Sequence, residues 1–398
     1  MKEHSVGGTI QVGDVALIVH NGPATTLITA ELSLFQSRAR KAMIIQEMNE
    51  VLHHFLQAVG YIHQTPERDT LLRTALWNWA RAELTVATNH DLQTLEPVLE
   101  QAASGVEHYY PFASHECRLC MAEATALALS ADDYFLPSAV RKELPHVQSR
   151  IWQGLEPREK WCAMWVDMIK KFTELYGARN PLIGSLGASG WANYLDGWCL
   201  EDSLSVSSSK SPGKTQFSAA LYDCPAEEFP YYWRSITGAA LPYAVAIFKP
   251  TRGIEVPYRL WMPYVQDVTA FINLFNDVLS YTKELLRDEQ ANYATLTTRT
   301  RRSAGFRSRF RSDGSLWTFR DTLCDLIERA LRSSRAVDQA FRVACCDLPT
   351  QEALDMQLAA MVWSYFKHGY IAWHINCGRY PLGDVKSRLE GSEEAFQP

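Results

Sequence analysis

The chain has 398 residues, 47% apolar and 21% charged, with a formal net charge of -6 at neutral pH. That composition supports a folded core, and its acidic balance gives no attraction to nucleic acid or to an anionic membrane surface. No stretch approaches the roughly 20 uninterrupted apolar residues of a membrane span, and the N-terminus lacks the basic-then-apolar pattern of a secretory signal. The nine cysteines have no framework spacing, so the sequence predicts a cytoplasmic protein with reduced thiols.

In chain order, apolar residues at three- and four-residue spacing predict helices over Glu31 to Val59, Thr70 to Ala87, Arg118 to Ala131, Lys160 to Tyr176, Tyr264 to Leu286, Leu316 to Cys345 and Gln351 to Asn376. Strand-like alternation is almost absent, so the reading is all-α. Loops are expected at the serine-rich stretch 201–214, at the basic stretch 298–314 and in the polar tail. No repeat or linker divides the chain, which predicts one domain over 31–385 between a partly irregular segment 1–30 and a C-terminal tail 386–398.

The most informative helix is 265–288, VQDVTAFINLFNDVLSYTKELLRD. Thr269, Asn273, Asn276, Ser280 and Glu284 recur every three or four residues and form a narrow, mostly uncharged stripe on an otherwise apolar helix. Asn and Ser are mediocre in helix interiors, and a solvated face would be filled with Glu, Lys and Arg instead. Asn276, Ser280 and Glu284 span about 12 Å of one face at 1.5 Å per residue, and their oxygens suit a hard cation such as magnesium. From spacing alone, a stripe that hydrogen-bonds a neighbouring helix remains open.

The run NDVLSYTKELLRDE from Asn276 resembles the second metal-binding motif of class I terpene synthases, in the version found in trichodiene synthase-like fungal sesquiterpene cyclases. Further segments are similar to the same family in order and interval: the Asp132–Asp133 pair in ALALSADDYFLPS, YLDGWCLED from Tyr194, YYWRSITG ending at Gly238, and HGYIAWHINCGRYPL from His368. The resemblance implies a single-domain helical bundle around a central apolar cavity. It also implies magnesium, three ions with bound diphosphate, held by Asp132, Asp133, Asn276, Ser280 and Glu284. Diphosphate contacts fall to Arg234, Lys283, Arg379 and Tyr380, and a helix break that faces the ionising bond falls to Gly238. The family's aspartate motif carries another acid two or three residues after the pair. Here Phe135 and Leu136 stand in that place, which implies fewer carboxylate ligands.

The implied reaction is ionisation of farnesyl diphosphate and closure of the carbocation to a sesquiterpene hydrocarbon or alcohol. Aromatic residues at helical spacing, Phe366, Tyr370 and Trp373, are expected to line the cavity, with Ala124, Thr125 and Ala128 leaving room. Two rivals share the fold: a prenyl chain-elongating enzyme, which needs aspartate-rich motifs on both helices, and an isoprenoid-binding protein without turnover. His115, Cys117 and Cys120 are not expected to bind zinc, because residues two apart on a helix diverge and no fourth ligand is near. The partner is a small prenyl diphosphate, and a homodimer is compatible with the sequence.

Overall fold

A computed structural model describes residues 8–12, 15–19, 38–63, 65–133, 135–207, 215–217, 225–287, 289, 291–343, 350–380 and 382. The helices that build the domain are α1 (Arg38–Ala58), α2 (Thr70–Trp79), α3 (Leu92–Tyr109), α4 (His115–Asp132), α5 (Lys160–Tyr176), α6 (Pro181–Leu204), α7 (Phe229–Thr237), α8 (Ala240–Ile247), α9 (Val265–Arg287), α10 (Tyr293–Ser303), α11 (Phe319–Val343) and α12 (Thr350–Asn376). Two antiparallel hairpins are added, Gly8–Val12 with Val15–Val19 and Ser205–Ser207 with Thr215–Phe217.

Helix starts follow local capping chemistry. Asp69, Asp91, Ser114 and Asn292 each accept a hydrogen bond from the backbone N–H three residues on, at 3.0, 2.8, 3.4 and 2.8 Å. Each satisfies one of the donors that a helix N-terminus leaves unpaired. Helix α4 is buried on every side from Cys120 to Ala131, and α12 from Phe366 to Ile375, which marks them as central helices rather than surface ones. Around them α3 packs on α4 and α12, α6 on α5, α7 and α8, and α9 on α8 and α11. Facing helices α3, α4, α6, α7, α9 and α12 leave a cavity of about 1000 Å³ between them.

Several expectations are corrected. The basic stretch 298–314 is not a free loop: α10 runs to Ser303, Arg301 pairs with Asp325 at 3.0 Å and lies 4.6 Å over the Trp317 ring, and Arg309 pairs with Glu328. Residues 201–204 continue α6, and 205–207 form a strand. The segment 208–214, Ala344 and Cys345, residues 31–37, and the tail 386–398 lie outside the described residues. Helices α3 and α7, and most of α6, were not predicted, because glycines and Pro97, Pro181 and Pro230 interrupt their apolar pattern.

Candidate active site

Helix α4 delivers the aspartate pair as its last residue and its C-cap, where carbonyl ends make the local field unfavourable for anions by roughly 0.3–1 kcal/mol each. Tyr194 of α6 donates to Asp132 Oδ1 at 2.9 Å, and Arg379, just beyond α12, donates to Asp133 Oδ2 at 2.6 Å and to Gln101 Oε1 at 3.0 Å. Solvent reaches Asp132 through the cavity mouth, yet the protein around it raises its carboxyl pKa by desolvation, against the pull of Arg379 and the Tyr194 hydrogen bond.

Across the cavity, α9 presents Asn276, Ser280 and Glu284 on one wall, with Lys283 beside them. Ser280 donates to Glu284 Oε1 at 2.6 Å. Burial lifts the Glu284 carboxyl to about 7, although Lys283 and the Ser280 hydrogen bond oppose it. Burial and then the charge of Asp132 lift Glu201, on α6, to about 8. Carboxylates held this high in one cleft are short of positive charge. Desolvation and the nearby Arg379 lower Lys283, whose ammonium lies 5.8 Å over the Tyr380 ring.

Arg234 of α7 is held in a buried ion pair, its Nε 2.7 and 2.9 Å from the two Asp277 carboxylate oxygens, with Nη2 donating to Asn276 Oδ1 at 3.1 Å. Burial lifts Asp277 to about 6 while Arg234 holds it down. Next to Arg234 the chain breaks: α7 stops at Thr237, Gly238 has φ -90° and ψ -8°, and Ala239 takes φ +47° before α8 begins. The left-handed residue at the break is therefore the alanine. Glycine is required at 238 for room, since a Cβ there would overlap Asn273 Oδ1 and come within 2.8 Å of Arg234 Nη1.

All ten expected residues (Asp132, Asp133, Arg234, Gly238, Asn276, Ser280, Lys283, Glu284, Arg379 and Tyr380) line this one cavity. Tyr370, Trp373, Thr125 and Ala128 line it too, with Tyr109, Trp198 and Ile272 among the other wall residues. Phe366 and Ala124 do not: both are fully buried behind the wall, Phe366 stacked on Tyr370 at 5.5 Å. The α9 stripe also ends early, because the Thr269 hydroxyl turns back to Gln266 O and Asn273 packs behind Gly238.

Sequence reasoning missed Tyr194, Glu201, Asp277, Gln101 and His374. Tyr194, Trp198 and Glu201 stand at i, i+4 and i+7 on α6, a helical spacing that could have been read from YLDGWCLED. His374 is fully buried, stacked on Tyr380 with ring centroids 4.9 Å apart, and burial lowers its pKa to about 3.

Fit to a hard cation can be judged from these donors. Among the described residues no three His, Cys, Asp or Glu side chains could hold a metal by themselves. Amide, hydroxyl and carboxylate oxygens are instead spread over two walls, which suits magnesium, a cation that binds through one or two carboxylates and shares substrate phosphates. The high carboxyl pKa values of Glu201 and Glu284 agree, so the residues fit the group.

No family model matches the chain. It is 23% identical over 344 residues to an (E)-beta farnesene synthase of Metarhizium brunneum, covering 84% of this chain and 88% of that protein. Among solved structures, a linalool/nerolidol synthase from Streptomyces clavuligerus in complex with 2-fluorogeranyl diphosphate superposes with a TM-score of 0.55 at 15% identity, covering 78% of this chain and 100% of that one. Germacradien-4-ol synthase from Streptomyces citricolor gives 0.55 at 15%, covering 79% and 96%. An a-eudesmol synthase gives 0.54 at 16%, covering 79% and 97%. The chain thus shares the all-α fold of these terpene synthases and is similar in sequence to the fungal one, and its two motif-bearing helix ends, at Asp132 and along α9, face one cavity.

Proposed function

We propose that the protein is a sesquiterpene synthase that ionises farnesyl diphosphate and cyclises the resulting carbocation. The observation that carries this reading is the polarity of the cavity. Oxygen donors and cationic side chains gather around Asp132, Glu284, Lys283 and Arg379, while Tyr109, Tyr243, Ile272 and Tyr370 form a mutually packed aromatic and aliphatic part of the lining. A prenyl diphosphate has the same division, an anionic head and a branched apolar chain. The fungal relative is named for a farnesene, and 2-fluorogeranyl diphosphate occupies one structural neighbour.

In this reading Asn276, Ser280 and Glu284 hold magnesium on one wall and Asp132, with Asp133, on the other. The bound cation would supply Lewis-acid stabilisation of the departing diphosphate. Lys283 contributes a point charge, Arg379 and Arg234 planar pairs of N–H donors, and Tyr380 one phenolic donor to the phosphate oxygens. Arg379 pairs with Asp133 through Nη1 and Arg234 with Asp277 through Nε, and each guanidinium carries five N–H donors, so a phosphate can be bound beside the acid or in its place. Farther in, the ring faces of Tyr109, Tyr370 and Trp373 can stabilise cationic carbon by roughly 2 kcal/mol where water is excluded. The break at Gly238 and Ala239 lies on the cavity wall, where free backbone carbonyls at a helix end can face developing positive charge.

Incubation of purified protein with magnesium and geranyl, farnesyl or geranylgeranyl diphosphate, with and without isopentenyl diphosphate, followed by gas chromatography and mass spectrometry, tests the proposal. A cyclic sesquiterpene from farnesyl diphosphate alone supports it. A longer prenyl diphosphate that forms only with isopentenyl diphosphate would establish chain elongation instead, and no release of diphosphate from any substrate would leave a binding protein.

A further inference from the structure

We propose that His374 is a positioning residue that fixes which end of the Asn276 amide faces the cavity, an inference that rests on the reading of Asn276 as a metal ligand. His374 lies on α12, five residues before Arg379, and none of its surface is exposed. Its Nδ1 is 2.7 Å from the backbone carbonyl of Tyr370. A carbonyl oxygen only accepts, so Nδ1 carries the proton and Nε2 of the neutral ring presents a lone pair. That lone pair is 3.2 Å from Asn276 Nδ2.

The other end of the amide is constrained independently. Asn276 Oδ1 lies 3.1 Å from Nη2 of Arg234, and a guanidinium only donates. Turning the amide over would set its oxygen against the imidazole lone pair and its NH2 against the guanidinium, replacing two hydrogen bonds with two repulsions. Both neighbours therefore demand the same orientation, and the second lone pair of Oδ1 remains for a cation. Where a diphosphate draws Arg234 away, His374 is the acceptor that keeps the oxygen turned outward, since the Tyr380 phenol that also bonds Asn276 can donate or accept and so imposes no orientation. The imidazole is itself held rigid, at 25° to the Tyr380 ring plane and edge-on to Trp373 with centroids 4.8 Å apart.

The test is equilibrium binding of Mn2+ in the presence of inorganic diphosphate, with free Mn2+ read by electron paramagnetic resonance. It compares the wild type, His374→Phe, His374→Gln, Asn276→Ala and the Asn276→Ala/His374→Phe double variant. Phe keeps a ring against Tyr380 but offers no acceptor, so Mn2+ affinity should fall about tenfold, as for other outer-shell partners of metal ligands. Gln can accept the same hydrogen bond and should return the affinity to within about threefold of wild type. In the Asn276→Ala background, His374→Phe should change nothing further.

Equal losses in both backgrounds, or unchanged binding in His374→Phe, would overturn the proposal. Should the Phe variant lose its helical circular dichroism, the Gln variant decides: near-wild-type binding supports the role, and a tenfold loss with native helicity overturns it. A wild type that binds no Mn2+ with diphosphate would instead overturn the metal reading of Asn276, and this proposal with it.

Discussion

Gly238→Ala separates a precise steric demand from general backbone flexibility. The dihedrals at 238, φ -90° and ψ -8°, are open to alanine, so the substitution acts only through its added Cβ. That atom would overlap Asn273 Oδ1 and stand 2.8 Å from Arg234 Nη1. Asn273 is 2% exposed and has little room to retreat, and Arg234 can yield only by leaving Asp277. Over-packing of this kind costs about 1–3 kcal/mol, a fall of a few degrees in the melting midpoint. Displacing Arg234 by about an ångström should cost roughly a hundredfold in turnover. Release of inorganic diphosphate from farnesyl diphosphate measures the second effect and calorimetry the first. Ala239→Gly is the control: it relieves about 1–2 kcal/mol of left-handed strain against a glycine entropy cost of about 0.5–1 kcal/mol, so its midpoint should hold or rise. Wild-type turnover and melting in Gly238→Ala would refute the reasoning.

Glu284→Gln should abolish turnover with helicity intact, because it keeps size and the Ser280 hydrogen bond but removes the charge; wild-type activity would sink the metal assignment on α9. Asp277→Asn leaves Arg234 buried without its counter-charge and should lower stability by about 3 kcal/mol, and diphosphate should raise the melting midpoint of this variant more than that of wild type; an equal rise would show that Arg234 does not reach the anion. In metal-free buffer, Glu201 and Glu284 bind protons in the folded protein, up to about 8 and about 7, that the unfolded chain has already released. Their ionisation therefore costs the fold progressively as pH rises from about 4.5 to 8. The melting midpoint should fall across that window and recover with magnesium and diphosphate, and a midpoint that rises with pH would contradict the burial of these carboxyls.

Much of the site was legible because helical spacing projects directly into space: Asn276, Ser280 and Glu284 at four-residue intervals share one wall, and Pro137 marked where α4 must end after the Asp pair. What the sequence hid depends on long-range packing. Nothing local says that Arg234 faces Asp277, 43 residues on, or that Asp133 pairs with Arg379, 246 residues on. The aromatic run at Phe366, Tyr370 and Trp373 was correct as a helical face, but four-residue spacing drifts around a helix, and Phe366 falls behind the wall. The arginines after 298 looked like a solvated loop because charge density dominated their pattern, while Asp325 and Glu328 on α11 neutralise part of it and anchor the segment.

Crystals soaked with Mn2+ and inorganic diphosphate, with data collected at the manganese absorption edge, test the central claim most directly. Anomalous peaks are expected within about 2.0–2.3 Å of oxygens of Asn276, Ser280 and Glu284 and, across the cavity, of Asp132. Manganese found only on outer-surface carboxylates, with the two walls bare, would contradict the account.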